Sequence, residues 1–453
     1  MNYDTNINIS NKELQRTAKK MSISPAILLE EAKNQFLEKE SIQDILESMK
    51  KGNTAFEKLA YVKSSDINRI IESVRGLKHE STSRTETWIV NFNEEIRKEL
   101  KVSSGFMKIS VDSNSYCMFE NKETYSYLGT YKTENTIYSY INLLVETKIC
   151  NNFVRMLSVK NDVEMKDMVS IISEKMVNGK HLNARNAKNN FKRNIVDSIN
   201  DSSDRNEIGF VKRGPVKFNV RRNWTYQYVM TEALTCNDSI MSDYMGSLFS
   251  HRVPFTINTW NIIFQVSHAC FVMEKFLISH NDLHPGNIWL RLQEKQEEYT
   301  YIIGEKIFTF TPKYIALIYD YDRGYAECNG VKINNTVTYE EFAQTNEVIR
   351  GRDFTRFIYI VYRYHVHDKN NKNIILDCIC KKSDECRMNV IEYFDEQEMD
   401  YNMLKEDFLK ENILPIEEIM VNFSVICKTT NVITQNKENI YRCKETYTLK
   451  KKE

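Results

Sequence analysis

The stretch ISHNDLHPGNIWL, residues 278–290, decides how this chain is interpreted, because it follows an apolar run and carries several polar side chains. Within it, Asp282 and Asn287 have the spacing D-x-x-x-x-N. A second stretch, ALIYDYDRG at 316–324, places Asp320 directly after four apolar residues, as at the end of a buried strand. One carboxylate of such a set can accept a hydroxyl proton, while another carboxylate and an amide oxygen hold Mg²⁺ on nucleotide phosphates. The two stretches therefore predict phosphoryl-transfer chemistry.

These motifs resemble those of the protein-kinase-like superfamily. More narrowly, they are similar to the divergent serine/threonine protein kinases of large cytoplasmic DNA viruses of the poxvirus and iridovirus type. The resemblance covers roughly residues 85–370 and is strongest from 258 to 358. It implies that Asp282 is the catalytic base, and that Asn287 and Asp320 hold Mg²⁺ (or Mn²⁺) on ATP.

The resemblance also implies two supporting positions around the catalytic loop. His280 is expected to brace the loop rather than to react. The sequence RDFTRFIYIVYRY at 352–364 places Asp353 at the start of an apolar helix. In kinases of this type an aspartate at that position accepts hydrogen bonds from the backbone of the catalytic loop, and a simple helix N-cap is the alternative.

The chain departs from protein kinases at several positions that bear on the phosphate acceptor. His284 stands where kinases acting on serine or threonine usually have a lysine, and Asn281 replaces the arginine of H-R-D. Asp320, Tyr321 and Asp322 replace D-F-G. The string D-L-H-P-G-N is common in kinase-like enzymes that phosphorylate aminoglycosides or choline. These departures leave a small-molecule acceptor open as an alternative.

The nucleotide-binding half is predicted from a lysine on a strand that pairs with a glutamate on the next helix. GFMKISV at 105–111 is similar to that strand and nominates Lys108. The segment 133–157 is similar to the helix and the following strand, and it nominates Glu134. The positions that remain as alternatives are Lys122 and Lys132 for the cation and Glu146 for the carboxylate.

The segments that would contact adenine and the phosphates are less clear. YVMTEAL at 228–234 resembles a kinase hinge, so backbone groups near Glu232 and Ala233 are expected to bind adenine. The sequence contains no G-x-G-x-x-G-x-V. Gly76 with the tract 81–87, or the residues 103–105, would have to form a degenerate phosphate loop.

The composition describes a chain that can bury a core. It has 453 residues, of which 42% are hydrophobic, and its 62 basic residues balance 62 acidic ones. A chain without excess cations cannot bind nucleic acid through broad counterion release, so the basic patches at 188–193 and 450–452 are interpreted as solvated faces. The longest apolar stretch, 260–278, contains Glu274 and Lys275 and predicts a core helix rather than a membrane span.

The order of elements predicts an α+β protein with a two-lobed, kinase-like fold. Residues 1–80 are expected to be a helical extension, with helices at 24–39, 41–49 and 64–74. Residues 81–234 are expected to form a small strand-rich lobe with an insertion around 160–222. Residues 235–453 are expected to form a helical lobe with a basic tail.

The predicted function is that of an ATP-dependent serine/threonine protein kinase of viral type. Its expected partners are viral or host proteins, and its expected location is the host cytoplasm and the virion. A small-molecule phosphotransferase is the first alternative. A pseudokinase that serves as a structural virion component is the second, because the phosphate loop is weak.

Overall fold

A computed structural model describes most of the chain beyond residue 66. The described residues are 67–76, 86–100, 102–111, 117–118, 130–164, 219–220, 225–235, 237–321, 323–328, 331–333, 347–395 and 404–443. Nearly all of the predicted N-terminal extension, most of the predicted insertion and the basic tail lie outside these residues. Those described form a mixed α+β structure whose sheets are mainly antiparallel.

The first half of the described chain is rich in strands. In chain order its elements are α1 (Ile67–Ile70), β1 (Ile71–Gly76), β2 (Glu86–Phe92), α2 (Glu94–Leu100), β3 (Ser104–Val111), β4 (Cys117–Met118), α3 (Thr130–Glu146), β5 (Met156–Glu164), β6 (Asn219–Val220) and β7 (Thr225–Glu232).

Five of these strands form one antiparallel sheet in the order β1-β2-β3-β7-β5. Trp88, Val90, Met107 and Ile109 alternate with less buried neighbours on β2 and β3, so one face of the sheet is apolar. Helix α3 contacts β5 and β7 and covers part of this sheet. Because β3 is central, a side chain on it can face residues from several segments.

The segment 64–74, predicted to be a helix, is helical only at Ile67–Ile70 and then forms β1. The helix prediction is wrong here for a physical reason. A register shift between Ile71 and Ser73 interrupts the two-residue alternation of β1, so that Ile71 and Val74 are both buried. Three-residue spacing of apolar side chains is also what a helix shows. The sheet therefore begins at residue 71, ten residues before the predicted boundary of its domain.

The second half of the described chain alternates short strands with longer helices. Its elements are β8 (Ser239–Ile240), α4 (Met241–Ser250), α5 (Ile257–Lys275), β9 (Ile278–Ser279), β10 (Ile288–Leu292), β11 (Tyr299–Ile303), β12 (Lys306–Phe310), β13 (Tyr314–Ile318), β14 (Tyr325–Cys328), β15 (Val331–Ile333), α6 (Arg352–Tyr364), α7 (Lys369–Ile379), α8 (Asp384–Asp395), α9 (Glu406–Asn412), α10 (Ile416–Ile426) and β16 (Ile440–Cys443).

Helix α5 lies at the centre of this half. Every residue from Thr259 to Met273 is buried, because α5 packs against both α10 and β13. A helix that is apolar nearly all round is typical of a core position. It ends at Lys275, before the apolar stretch 260–278 ends, since Ile278 and Ser279 pair with β14. Among the described residues, no helix has the length and apolar character that crossing a membrane requires.

The second half, expected to form a helical lobe, also contains several short strands. Tyr299–Ile303 and Lys306–Phe310 form a hairpin, and Ile440–Cys443 adds a parallel third strand beside the first. The residues of β11 are buried throughout, so its sequence lacks the alternation of apolar and polar residues that marks a half-exposed strand.

Candidate active site

The register of two paired strands brings the two motifs of the second half together. Strand β10 pairs antiparallel with β13 so that Ile288 lies opposite Ile318. Asn287 precedes β10 and Tyr319 follows β13, and the Tyr319 amide donates to the Asn287 carbonyl (3.1 Å). Asp320 is the next residue. The strand ends therefore place the D-x-x-x-x-N loop and the second acidic motif side by side.

Asp282 and Asn287 are held at opposite ends of their loop by a direct hydrogen bond. The Asn287 Nδ2 donates to the Asp282 carbonyl oxygen (2.9 Å). This bond uses the amide nitrogen of a buried side chain and leaves Oδ1 as the atom that can ligate a cation. The Asp282 carboxylate pairs with Arg356, and its Oδ2 lies 3.6 Å from Arg323 Nη1.

His280 connects the two motifs rather than pointing to solvent. It is fully buried, and its Nε2 lies 2.9 Å from the carbonyl oxygen of Tyr319. Its Nδ1 accepts from the amide of Asp282 at 3.3 Å, so the ring proton is assigned to Nε2. The imidazole thus links the residue before Asp320 to the backbone of Asp282, the kind of bracing contact that the resemblance to kinases implies for it.

Asp353 binds the backbone of the same loop. Its Oδ2 accepts from the amide of His280 (2.7 Å) and from the hydroxyl of Ser279 (3.0 Å), and its Oδ1 accepts from the amide of Asn281 (2.9 Å). The alternative, a simple N-cap, is wrong, because the N-cap of α6 is Gly351. The carboxylate therefore stabilises Asn281 in a left-handed conformation (φ 59°) that non-glycine residues rarely adopt.

Lys108, Glu134 and Asp320 meet although they come from three distant segments. Lys108 Nζ lies 2.9 Å from Glu134 Oε2 and 3.1 Å from Asp320 Oδ1. The lysine is on the central strand β3, the glutamate is on α3, and the aspartate follows β13. The Lys108 and Glu134 that the sequence nominates are therefore in contact, beside Asp320. The alternative positions Lys122, Lys132 and Glu146 have no described side chains.

The two carboxylates of this cluster differ in their electrostatics. Burial raises the pKa of Glu134, and the attraction of Lys108 offsets this only in part. For Asp320 burial also acts upward, but Lys108 outweighs it and lowers the pKa. Lys108 therefore favours the charged form of Asp320, whereas the charged form of Glu134 is disfavoured by burial.

The backbone of Asp320 is strained and supported. Its φ is 67°, in the left-handed region, and its amide donates to the hydroxyl oxygen of Tyr138 (3.0 Å). Tyr138 lies one helical turn beyond Glu134 on α3, and its ring packs edge-on against Tyr321. Strain of this kind persists where surrounding contacts hold it and is frequent at functional sites.

His284 occupies the turn between the two ends of the loop. Its Nδ1 accepts from the amide of Gly286 (3.0 Å), and a β-carbon at position 286 would lie 2.6 Å from the imidazole. Burial lowers the pKa of His284, although the neighbouring Asp282 acts in the opposite direction. At neutral pH the side chain is therefore an uncharged hydrogen-bond donor, not a substitute for the charge of a lysine.

Glu232 and Ala233, the residues of the predicted hinge, form contacts within the protein. The Glu232 carboxylate binds Arg155 and Arg291, each at 3.0 Å. The amide of Glu232 donates to Arg155 O and that of Ala233 to Ser104 O, both at 3.0 Å. These two amides are engaged within the protein, so an adenine acceptor atom would need an amide beyond Ala233.

Some predicted elements lie outside the described residues. These are Asp322 and the tract 81–85 of the suggested phosphate loop. The strands on either side of that tract, β1 and β2, are described and pair with each other.

The sequence did not indicate three residues that contact the site. Arg356 and Arg323 flank Asp282, and Tyr138 supports Asp320. Arg356 lies three positions after Asp353, so the same face of α6 could have been searched for it. Tyr138 lies four positions after Glu134, on the same face of α3.

The oxygen atoms of this site fit Mg²⁺. Such a cation is usually bound by one or two carboxylates together with phosphate oxygens, and it favours oxygen over nitrogen or sulfur. Asp320 and the Oδ1 of Asn287 provide such ligands. Within the described ranges, no group of three or more His, Cys, Asp or Glu side chains is arranged to hold a metal by protein ligands alone. A nucleotide phosphate would have to complete the coordination.

Comparisons with known proteins add no family assignment. A scan of protein-family models gave no match to this chain, and a search of curated proteins gave none either. Function must therefore be argued from the geometry of the site.

Proposed function

We propose that this chain is an ATP-dependent phosphotransferase with a two-lobed, protein-kinase-like fold, and that it transfers the γ-phosphate of ATP to a protein serine or threonine. The observation that carries the proposal is the cluster of Lys108, Glu134 and Asp320 beside the loop of Asp282 and Asn287. In kinases, a lysine paired with a helix glutamate and an aspartate that holds Mg²⁺ together position the ATP phosphates.

The arrangement of the sheet supports the same proposal. Lys108 lies on the third strand, the helix with its glutamate follows that strand, and the loop between β1 and β2 is where phosphates would be covered. Asp353 holds the catalytic-loop backbone as the resemblance to kinases implies.

Each side chain has a separate task in this proposal. Lys108 would bind the α- and β-phosphates, and Asp320 and Asn287 would ligate Mg²⁺ (or Mn²⁺), which neutralises the charge developing on the phosphates. Asp282 would orient the acceptor hydroxyl and accept its proton as the oxygen attacks the γ-phosphorus, the bond to the β–γ bridging oxygen breaks and ADP leaves. His284, held by the amide of Gly286, would add no positive charge at the transferred group.

A small-molecule acceptor is the second candidate, and the observation that favours it is His284. Its neutral imidazole is bound to Gly286 within the D-L-H-P-G-N turn that resembles aminoglycoside and choline kinases. The expectation of a protein acceptor rests on the resemblance to viral kinases around 352–364 and on the helical extension predicted for residues 1–80.

The test is transfer of the labelled γ-phosphate from ATP with Mg²⁺ to a panel of acidic and basic proteins, aminoglycosides and amino alcohols. We expect transfer to protein, and a loss of about 10²–10⁴-fold in the rate for Asp282→Asn. The matched control is Asp243→Asn, because Asp243 is an exposed carboxylate on α4. Transfer only to small molecules would support the second candidate.

A scaffold without activity is the remaining alternative. Wild-type protein that shows neither transfer nor a rise in melting temperature with Mg·ATP would support it and contradict our proposal. Ligand at about 100 times its Kd should stabilise a binding protein by about 2.7 kcal/mol.

A further inference from the structure

Helix α6 holds the catalytic loop through two side chains one turn apart. Asp353 accepts from the amides of His280 and Asn281. Arg356, on the next turn, donates to the carbonyl oxygen of Asn281 and to Oδ1 of Asp282. The helix thus binds backbone amides of the loop with the carboxylate of Asp353, and it binds a carbonyl and a carboxylate of the loop with the guanidinium of Arg356.

Arg356 is well suited to fix a side chain in one orientation. Its own side chain is only 7% exposed, and that of Asp282 is 16% exposed. A planar guanidinium presents several donors in a rigid arrangement, so one group can bind a carbonyl and a carboxylate together. A buried pair of this kind leaves Asp282 little freedom to rotate.

The two oxygens of Asp282 are therefore not equivalent. Oδ1 is occupied by Arg356, whereas Oδ2 lies 3.6 Å from Arg323, beyond ordinary hydrogen-bond distance. Within the part of the chain that the structure describes, Oδ2 has no closer hydrogen-bond donor. Oδ2 is the atom left to meet an acceptor hydroxyl.

From this geometry we infer that Arg356 is a positioning residue for the phosphoryl-transfer step, directing Oδ2 of Asp282 toward the acceptor hydroxyl. The inference rests on the proposed function. It assigns no chemical step to Arg356 itself, which touches the proton acceptor and not the reacting atoms.

The experiment measures kcat and KM for ATP with the best acceptor of the panel described above. Arg356→Met should lower kcat by about 10²-fold, because misplacement of a catalytic group by about 1 Å has effects of this size. KM for ATP should stay within about twofold of the wild-type value. The rise in melting temperature with Mg·ATP should stay within about 1 °C of the wild-type rise. Both are expected because Lys108, Asn287 and Asp320 are unchanged.

Two further variants separate positioning from folding. Arg356→Lys keeps one donor and the charge, and it should recover part of the lost kcat. Arg363→Met removes a guanidinium from the same helix two turns later, where Arg363 pairs at 3.6 Å with Asp395, and it should leave kcat unchanged.

The outcomes distinguish this inference from the proposed function. If wild type is active and Arg356→Met retains its kcat, the inference is wrong while the proposed function stands. If Arg356→Met loses the response to Mg·ATP together with activity, its role is structural and the inference is also wrong. If wild type shows no transfer, the proposed function fails first.

Discussion

Glu134 and Glu232 are both 1% exposed, yet their surroundings give them opposite properties. Glu232 is bound by two arginines, Arg155 and Arg291. Burial alone would raise its pKa, but the two guanidinium groups outweigh burial and hold the pKa at about 2. Glu134 is bound by Lys108, which also binds Asp320, and burial keeps its pKa raised.

A third glutamate extends the comparison. Glu274, at the C-terminal end of α5, accepts from the amide of Gly351 (2.6 Å), and Glu417 lies nearby. Burial raises its pKa to about 8, and the Gly351 hydrogen bond and Arg350 offset this only in part.

The comparison teaches that the cations around a buried carboxylate decide its role. A carboxylate bound by two arginines stabilises the fold, whereas one that shares a lysine can give up that lysine to another anion. Glu232 joins Arg155, the residue before β5, to Arg291 on β10, a contact suited to stability. Lys108 divides its charge between two carboxylates. A lysine held in this way can exchange a carboxylate for a phosphate, which the proposed function requires.

The largest effect is expected on stability when the Glu232 carboxylate is removed. Glu232→Gln leaves Arg155 and Arg291 without their anion, and it should lower the free energy of unfolding by about 3–5 kcal/mol. Urea unfolding at pH 7 measures this. As a control, Glu72→Gln breaks the exposed pair with Arg97 and should cost at most about 1 kcal/mol. Equal losses in the two variants would contradict the comparison.

The same variant has a predicted pH dependence. Because the folded pKa of Glu232 lies below its ordinary value of 4.5, its contribution to stability is fully present above about pH 4.5 and is lost as the pH falls through about 2. The difference between wild type and Glu232→Gln should therefore be constant from pH 8 to 5 and shrink in more acidic buffer.

The next largest effect is expected on activity, at the cluster of Lys108, Glu134 and Asp320. Lys108→Met removes the cation shared by Glu134 and Asp320, so kcat/KM for ATP should fall by about 10²–10³-fold. Steady-state phosphate transfer measures this, and Lys160→Met on strand β5 of the same sheet is the control. A Lys108→Met protein with full activity would exclude Lys108 from nucleotide binding.

Substitution of Glu274 should have a smaller effect on stability, with a pH dependence opposite to that of Glu232. Its folded pKa of about 8 lies above the ordinary 4.5, so its ionisation disfavours the folded state as the pH rises between these values. Glu274→Gln should gain about 1–2 kcal/mol relative to wild type between pH 5 and 8, a figure reduced for partial solvent screening. Thermal unfolding across this range measures it, and a difference independent of pH would contradict it.

The smallest effect is expected from one hydroxyl group. Tyr138→Phe removes the acceptor for the Asp320 amide, a loss of about 1 kcal/mol, so the Mg²⁺ concentration for half-maximal transfer should rise about fivefold. Tyr140→Phe is the control, because its hydroxyl donates instead to Phe276 O, away from the site. Equal Mg²⁺ requirements in both variants would assign Tyr138 no part in holding Asp320.

The sequence predicts those parts of the site where local pattern and chemistry agree. Helix α6 begins at Arg352, as its apolar spacing indicates, and the motif around Asp282 lies between a buried helix and a buried strand. Lys108 and Glu134 could be nominated because the segments 105–111 and 133–157 resemble the strand and the helix that carry this ion pair in kinases.

What the sequence could not predict depends on tertiary contacts. The register shift in β1 makes a strand look helical, and the fully buried strand β11 has no polar alternation. Arg356 and Tyr138 look like ordinary helix residues until the fold places their polar groups against Asp282 and Asp320.

The central claim is that Asp320 and Asn287 ligate a magnesium ion on ATP while Asp282 acts on the acceptor. Isothermal titration of ATP, with and without Mg²⁺, into wild type, Asp320→Asn and Asp282→Asn tests it most directly. We predict Mg²⁺-dependent binding in wild type and in Asp282→Asn, and its loss in Asp320→Asn. Equal Mg²⁺-dependent affinity in all three proteins, or no binding by any of them, would contradict the account.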